Sequence, residues 1–176
     1  MASKPQFESG KQNNEHLTPY IPAATDDPGH EIPVSSQAVP GLESKMPNPK
    51  PLYDEIPTDD GKSQKYKPAG KLKGKNAIIT GGDSGIGRAA AVLFAMEGAN
   101  SFIVHLPEEE EDARETKKRV EQYGQQCHLL ATDLKDKTNC KKVVDDAVKV
   151  FNGKIDVLFN NAAYQMVVED INDLSE

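Results

Sequence analysis

Tryptophan is absent from this 176-residue chain, cysteine occurs twice, and arginine does not appear before Arg88. The two cysteines, Cys127 and Cys140, are too few for a disulfide framework and lack the paired spacing of a zinc or redox site. A reduced, cytoplasmic setting is therefore expected. His16, His30 and His128 show no ligand spacing, so no metal is expected. No apolar run reaches the ~18 residues a membrane helix needs. An N-terminal signal peptide is excluded by the lack of an apolar central region. Residues 1–68 hold no arginine and ten acidic residues, which argues against a transit peptide. A net charge of −7, from 28 acidic and 21 basic residues, speaks against nucleic acid or an anionic membrane as partner. Hydrophobic content of 36% is low for a wholly globular chain, so part of it is expected to lie outside a core.

Proline shows which part. Eleven of the twelve prolines fall between Pro5 and Pro68, the other being Pro107. Proline removes a backbone donor and pushes its predecessor out of the helical region, so stretches such as 46–51 sustain neither helix nor ladder. Residues 1–68 read as a Pro-rich extension, mostly disordered, and 69–176 as a folded domain. Tyr20, Ile21, Leu52, Tyr53, Ile56 and Tyr66 either anchor the extension on a folded surface or are scattered residues of a flexible tail.

The folded part is organised around 76–88, Asn-Ala-Ile-Ile-Thr-Gly-Gly-Asp-Ser-Gly-Ile-Gly-Arg. Ala77, Ile78 and Ile79 form an apolar run without alternation, as in a strand covered on both faces. Gly81 and Gly82 supply a tight turn, and Gly85 and Gly87 allow an anionic group to approach the backbone at the start of a helix. Alone, such a glycine cluster is equally an ordinary strand-to-helix turn. The helix that follows carries Ile86, Ala89, Ala90, Leu93, Phe94 and Ala95 at helical spacing and ends at Gly98. Next come a strand over 99–106, a charged helix over 108–123 with Ala113, Val120 and Tyr123 inward, and a strand over 127–131. A helix over 138–151 follows with an apolar stripe through Val143, Val144, Ala147, Val148 and Phe151, then a strand over 155–159. Strand and helix alternating in short units imply an α/β fold, a Rossmann-like doubly wound parallel sheet in the order 3-2-1-4, truncated after its fourth strand. The ligand crevice lies where the order reverses, between the first and fourth strands.

Three motifs meet at the C-terminal ends of these strands: 80–87 after the first, Asp133-Leu134 after the third, and Asn160-Asn-Ala-Ala163 after the fourth. On these residues the chain resembles the short-chain dehydrogenase/reductase family, from about residue 70 onward. Behind its Pro-rich extension and with 66–74 it is similar to the branch of glucose/ribitol dehydrogenase-like proteins and aldehyde reductases. The resemblance implies that Gly81, Gly85, Ile86 and Gly87 line the pyrophosphate and adenosine ribose of a nicotinamide dinucleotide, with Asp83 and Ser84 of the same loop counted among the cofactor-binding residues. It implies that Asp133 accepts from the adenine amino group, that the Leu134 N–H meets a ring nitrogen, that Asn160 ties the fourth strand to its neighbours, and that Ala162 borders the ribose. Ala163 departs from the family's usual glycine.

Cofactor choice follows neither usual rule, since Val104-His105-Leu106 ends the second strand. His105 or Arg88 is a candidate for a 2′-phosphate, although Glu108 to Glu111 stand close, and the branch resemblance favours NADP(H) over NAD(H). The family's Tyr-x-x-x-Lys pair is missing: the residues four places after the five tyrosines are Ala24, Pro57, Gly70, Cys127 and Val168. No catalytic residue is assigned. The chain reads as the cofactor-binding half of an oxidoreductase interconverting an alcohol or polyol with its carbonyl compound, in a parent that the resemblance implies to be a homo-oligomer. Alone it is expected to be inactive and poorly stable. A short non-catalytic protein that binds dinucleotide or docks on longer relatives is the alternative. Another Rossmann-like enzyme, such as a methyltransferase, fits less well because its glycine loop usually follows an acidic residue.

Overall fold

The computed structural model describes residues 41–46, 53–60 and 62–164. A two-stranded antiparallel hairpin, β1 (Glu55–Pro57) and β2 (Ser63–Lys65), precedes the main sheet. The rest alternates strand and helix: β3 (Asn76–Thr80), α1 (Gly85–Met96), β4 (Asn100–His105), α2 (Glu110–Glu121), β5 (Cys127–Ala131), α3 (Lys137–Val150) and β6 (Val157–Phe159). The four later strands are parallel and lie in the order β5-β4-β3-β6, the Rossmann-like arrangement that the alternation implies.

The apolar run of β3 is explained by its two covered faces. Ala77 and Ile79 pack with Ile103 and Cys127 against Ala91 and Ala95 of α1 and Val120 of α2. Ile78 packs with Phe102 and Val104 against Val143 and Ala147 of α3 and the Phe151 that follows it. Each buried isoleucine contributes roughly 1.5–3 kcal/mol, so the sheet centre carries the largest apolar term of the domain. Phe94 meets Phe159 edge to face at 6.2 Å, and Phe102 meets Phe151 at 6.3 Å, which ties both helical layers to opposite faces of one sheet.

Two helix faces differ from the sequence reading. In α1 the buried residues are Gly87, Arg88, Ala91, Val92 and Ala95, whereas Ile86 is 75% exposed. In α3 only Val143 and Ala147 are buried, and Val144 and Val148 face outward. The buried face of α1 includes Arg88, a charged residue taken into the interior where its neighbours satisfy it.

The extension also differs from the expected unstructured stretch where it is described. Tyr53 is buried, its ring lying 5.7 Å from the Arg88 guanidinium and 5.1 Å from that of Arg119. Burial first, then the nearby Glu43 carboxylate, push its phenol up to about 12. A 3-10 turn, Glu43–Lys45, sits against the starts of α1 and α2. Sparse apolar content did not forecast this, because polar groups make the attachment. Tyr20, Ile21 and Leu52 lie outside the described residues.

At the other end of α1, the buried Glu97 carboxylate accepts from the Tyr66 hydroxyl, from Ala69 N–H at 3.1 and 3.2 Å, and from Lys71 N–H at 2.6 Å. The Tyr66 hydroxyl first, and then the Lys71 amide, hold Glu97 below its ordinary value of 4.5. A depressed carboxylate pKa stabilises the fold above the unfolded-state value and ceases to do so as pH falls through the folded-state one. Glu97→Gln is therefore expected to lower the melting temperature at neutral pH, with the gap to the parent closing below about pH 4.5. A gap that stays constant down to about pH 3 in thermal melts followed by circular dichroism would overturn this assignment.

Candidate functional site

The site is assembled where β3 ends. Gly81 N–H donates to Val104 O at 2.8 Å, extending the β3–β4 ladder one residue before the chain turns with a φ of +61° at Gly81. The loop 81–84 then enters α1, whose first N–H groups have no carbonyl ahead of them within the helix. Gly87 is required here by packing. A Cβ on it would stand 1.9 Å from Gly81 O and 2.8 Å from Asn161 Nδ2, so helix, strand end and the loop after β6 meet at one point. Gly85 is the converse, with a φ of +50° and nothing within 4 Å of a Cβ built on it, so its outward side is open.

Asn161 closes the arrangement. Its side-chain amide donates to Thr80 O at 3.1 Å and Gly81 O at 2.9 Å, while its own N–H and that of Ala162 donate to Thr80 Oγ1 at 2.9 and 3.0 Å. The sequence reading gave this tying role to Asn160. Asn160 is exposed, and the neighbouring asparagine performs it instead. Two adjacent asparagines point to opposite sides of an extended chain, and sequence alone does not say which faces the turn. Thr80, the first residue of the 80–87 motif, is the acceptor that fixes both amides.

The third tip comes from β5. Thr132 N–H donates to His105 O at 2.8 Å, carrying the β4–β5 ladder past the strand. Asp133 is exposed, with Oδ1 accepting from Lys135 N–H at 2.9 Å and its carbonyl accepting from Asn139 Nδ2 at 2.9 Å. Leu134 is half-buried against the core under α3. The Lys135 ammonium lies 4.3 Å from the centre of the Tyr164 ring, so the turn after β5 and the loop after β6 touch across the end of the sheet. Gly81, Ser84, Gly85, Ile86, Asp133, Leu134, Asn160 and Ala162 thus belong to the three loops at this edge.

Two residues singled out in the sequence are turned away from it. The His105 side chain is fully buried, its Nδ1 2.8 Å from Leu106 O and its Nε2 3.4 Å from Glu110 Oε2 without hydrogen-bond alignment. Asp83 is buried as well, its carbonyl accepting from Arg88 Nε at 2.8 Å and from the Thr116 hydroxyl at 2.7 Å. Glu109 is raised by burial first, with the Asp83 carboxylate adding to the shift.

Arg88, considered from sequence for a phosphate, is likewise unavailable. It is buried, its Nε donates to Asp83 O and Thr116 Oγ1 at 2.8 Å each, its Nη1 pairs with Glu43, and its Nη2 donates to Asp112 O at 2.9 Å and pairs with Asp112 Oδ1 at 3.3 Å. Glu43 was not foreseen at all. No motif marks it, since its role depends on a contact 45 residues away. Among the described residues no group of three His, Cys, Asp or Glu side chains comes together to hold a metal, and no helix is long and apolar enough to cross a membrane.

Thr80→Val, which keeps the shape and removes the acceptor, is expected to cost about 1–3 kcal/mol in urea unfolding by stranding the Asn161 and Ala162 amides. Thr80→Ser should recover most of it, and equal stability of the Val variant and the parent would refute the role of the hydroxyl. Gly87→Ala, which forces a backbone shift, is expected to cost about 3 kcal/mol in the same measurement. A loss below about 1 kcal/mol would show that the helix moves away freely.

Comparison with known proteins places this geometry in a lineage. Residues 75–176 match the family described as short chain dehydrogenase. General stress protein 39 of Bacillus subtilis is 48% identical over 146 residues, covering 82% of this chain and 47% of that protein. Glucose and ribitol dehydrogenase of Daucus carota is 42% identical over 145 residues, covering 80% of this chain and 49% of that protein. The crystal structure of an NAD+-bound xylitol dehydrogenase is 30% identical, covers 60% of this chain and 39% of that one, and superposes with a TM-score of 0.53. The chain thus spans about half the length of the curated relatives it matches. With its parallel sheet, its glycine loop and its Asn-Asn-Ala strand end in one edge, the chain belongs to the short-chain dehydrogenase family.

Proposed function

We propose that this chain forms the dinucleotide-binding part of an NAD(P)(H)-dependent oxidoreductase that interconverts an alcohol or polyol with its carbonyl compound. The observation that carries the reading is the junction of Gly81, Gly87, Asn161 and Thr80, which joins the glycine loop to the loop after β6 at the switch of strand order. Gly85 and Ile86 are exposed at the helix start, and with the Gly85 N–H engaged by Glu43 a pyrophosphate would meet the N–H groups that follow it and the helix dipole. Exposed Asp133 supplies a carboxylate acceptor for an adenine amino group, Leu134 an apolar border, and Ala162 the opposite wall. His105 and Asp83 act from beneath, holding the loop's underside rather than touching the ligand.

The branch resemblance favours NADP(H), but the interior of the site favours NAD(H). Arg88 and His105, the side chains considered for a 2′-phosphate, are buried and engaged, with the Asp83 carbonyl on Arg88 and the Glu110 carboxylate beside His105. The dinucleotide supplies the hydride in such chemistry. This chain's residues bind and orient it, and they include no Tyr-x-x-x-Lys pair to move a proton. Polyol or sugar-alcohol substrates are proposed on the strength of the Daucus carota and xylitol relatives. A cytoplasmic setting rests on the two unpaired cysteines, and a homo-oligomeric parent on the resemblance.

NADH and NADPH titrations followed by fluorescence test this directly. NADH is expected to bind more tightly, and Asp133→Ala to weaken it about tenfold, the loss of one hydrogen bond to a charged acceptor. Binding that is equal for the parent and Asp133→Ala would remove Asp133 from the site, and tighter NADPH binding would overturn the cofactor preference. Turnover of sugar alcohols is expected only from a protein that also carries the family's Tyr-x-x-x-Lys.

A further inference from the structure

Glu43 sits in the Pro-rich extension, yet it makes a direct contact with the glycine loop. Its Oε2 accepts from Gly85 N–H at 2.9 Å, and its Oε1 pairs with Arg88 three residues further on. The turn that carries it is itself pinned. Glu43 N–H donates to Asp112 Oδ2 at 2.8 Å and Ser44 N–H to Asp112 Oδ1 at 3.3 Å, while Asp112 also pairs with Arg88. All three charged side chains are buried, at 7% exposure or less.

We propose that Glu43 is a positioning residue for dinucleotide binding: the 41–46 segment of the extension fixes the conformation of the glycine loop by holding the Gly85 amide and the Arg88 guanidinium at once. The proposal rests on the dinucleotide-binding reading above and assigns the extension a part in it. Gly85 has a φ of +50° and no packing neighbours of its own within 4 Å of a Cβ position, so nothing on its outer side sets its orientation. What sets it from within is the Glu43 carboxylate. Arg88 transmits the same constraint along α1, because its Nε bonds Asp83 O on the other side of the loop. A loop held in this way is already ordered when the dinucleotide arrives, and reciprocity requires that the dinucleotide in turn stabilise the docked segment.

The test uses the full chain and three variants. Glu43→Ala removes both acceptors and the charge, Glu43→Gln keeps one of the two acceptor oxygens, and Val143→Ala, in the core under α3 on the opposite face of the sheet, serves as a control for lost stability alone. Hydrogen exchange of the ligand-free proteins reads the loop, and NADH titration reads the affinity. Glu43→Ala is expected to speed exchange at Gly85 and its neighbours about tenfold, without change in β4, and to weaken NADH about tenfold. Glu43→Gln, with one acceptor left, should fall between Glu43→Ala and the parent in both, and Val143→Ala should change neither. Unchanged loop exchange in Glu43→Ala overturns the proposal, as does unchanged affinity, or an equal loss of affinity in Val143→Ala. If the parent fails to bind NADH and NADPH, the dinucleotide-binding reading falls, and the exchange measurement still decides whether Glu43 orders the loop.

Discussion

Helix α1 meets the end of β3 at Gly87, where the backbones leave no room for a Cβ. Gly87 touches the Gly81 carbonyl so nearly that no side chain fits between them, and the same carbonyl receives the Asn161 amide. Everything at the functional edge is arranged around that approach. It places the start of a helix, whose first N–H groups have no partner within the helix, at the C-terminal end of a central strand. It leaves Gly85 outside, where a ligand can reach, and turns Arg88 inward, where none can.

Turning Arg88 inward determines the electrostatics of the loop's underside. A buried guanidinium is tolerable only when paired and fully bonded, and here two carboxylates and three further oxygens surround it. One of the carboxylates belongs to a part of the chain that composition marks as non-core. The interior therefore recruits a piece of the extension as a counter-charge, and the attachment depends on polar geometry rather than on apolar area. With Glu97 gripping 66–71 at the far end, α1 is held at both termini by residues that precede β3.

Much of this architecture was legible in the sequence because it follows from periodicity. The uninterrupted apolar run of β3, and the alternation of short strands with helices, lead to a parallel sheet and to its strand order. What was not legible depends on which way a side chain faces once neighbours are present. His105 reads as a strand end open to a ligand, but the ladder runs on through Thr132 and Glu110 covers the ring. Asn160 and Asn161 are equivalent on paper, and only the position of Thr80 Oγ1 separates them. Val144 and Val148 continue an apolar stripe that the sheet does not reach. Glu43 carried no signal, since its partners are remote in sequence and its own surroundings are rich in proline.

The span of the Asn161 contact has a consequence for synthesis. Thr80 and Asn161 are separated by 81 residues, whereas Glu43, Tyr66 and Lys71 have already been made when α1 emerges from the ribosome. At ~5–20 residues per second, the strand end and helix start wait roughly 4–16 s for the asparagine that locks them. During that interval the extension is what the nascent helix has to lean on.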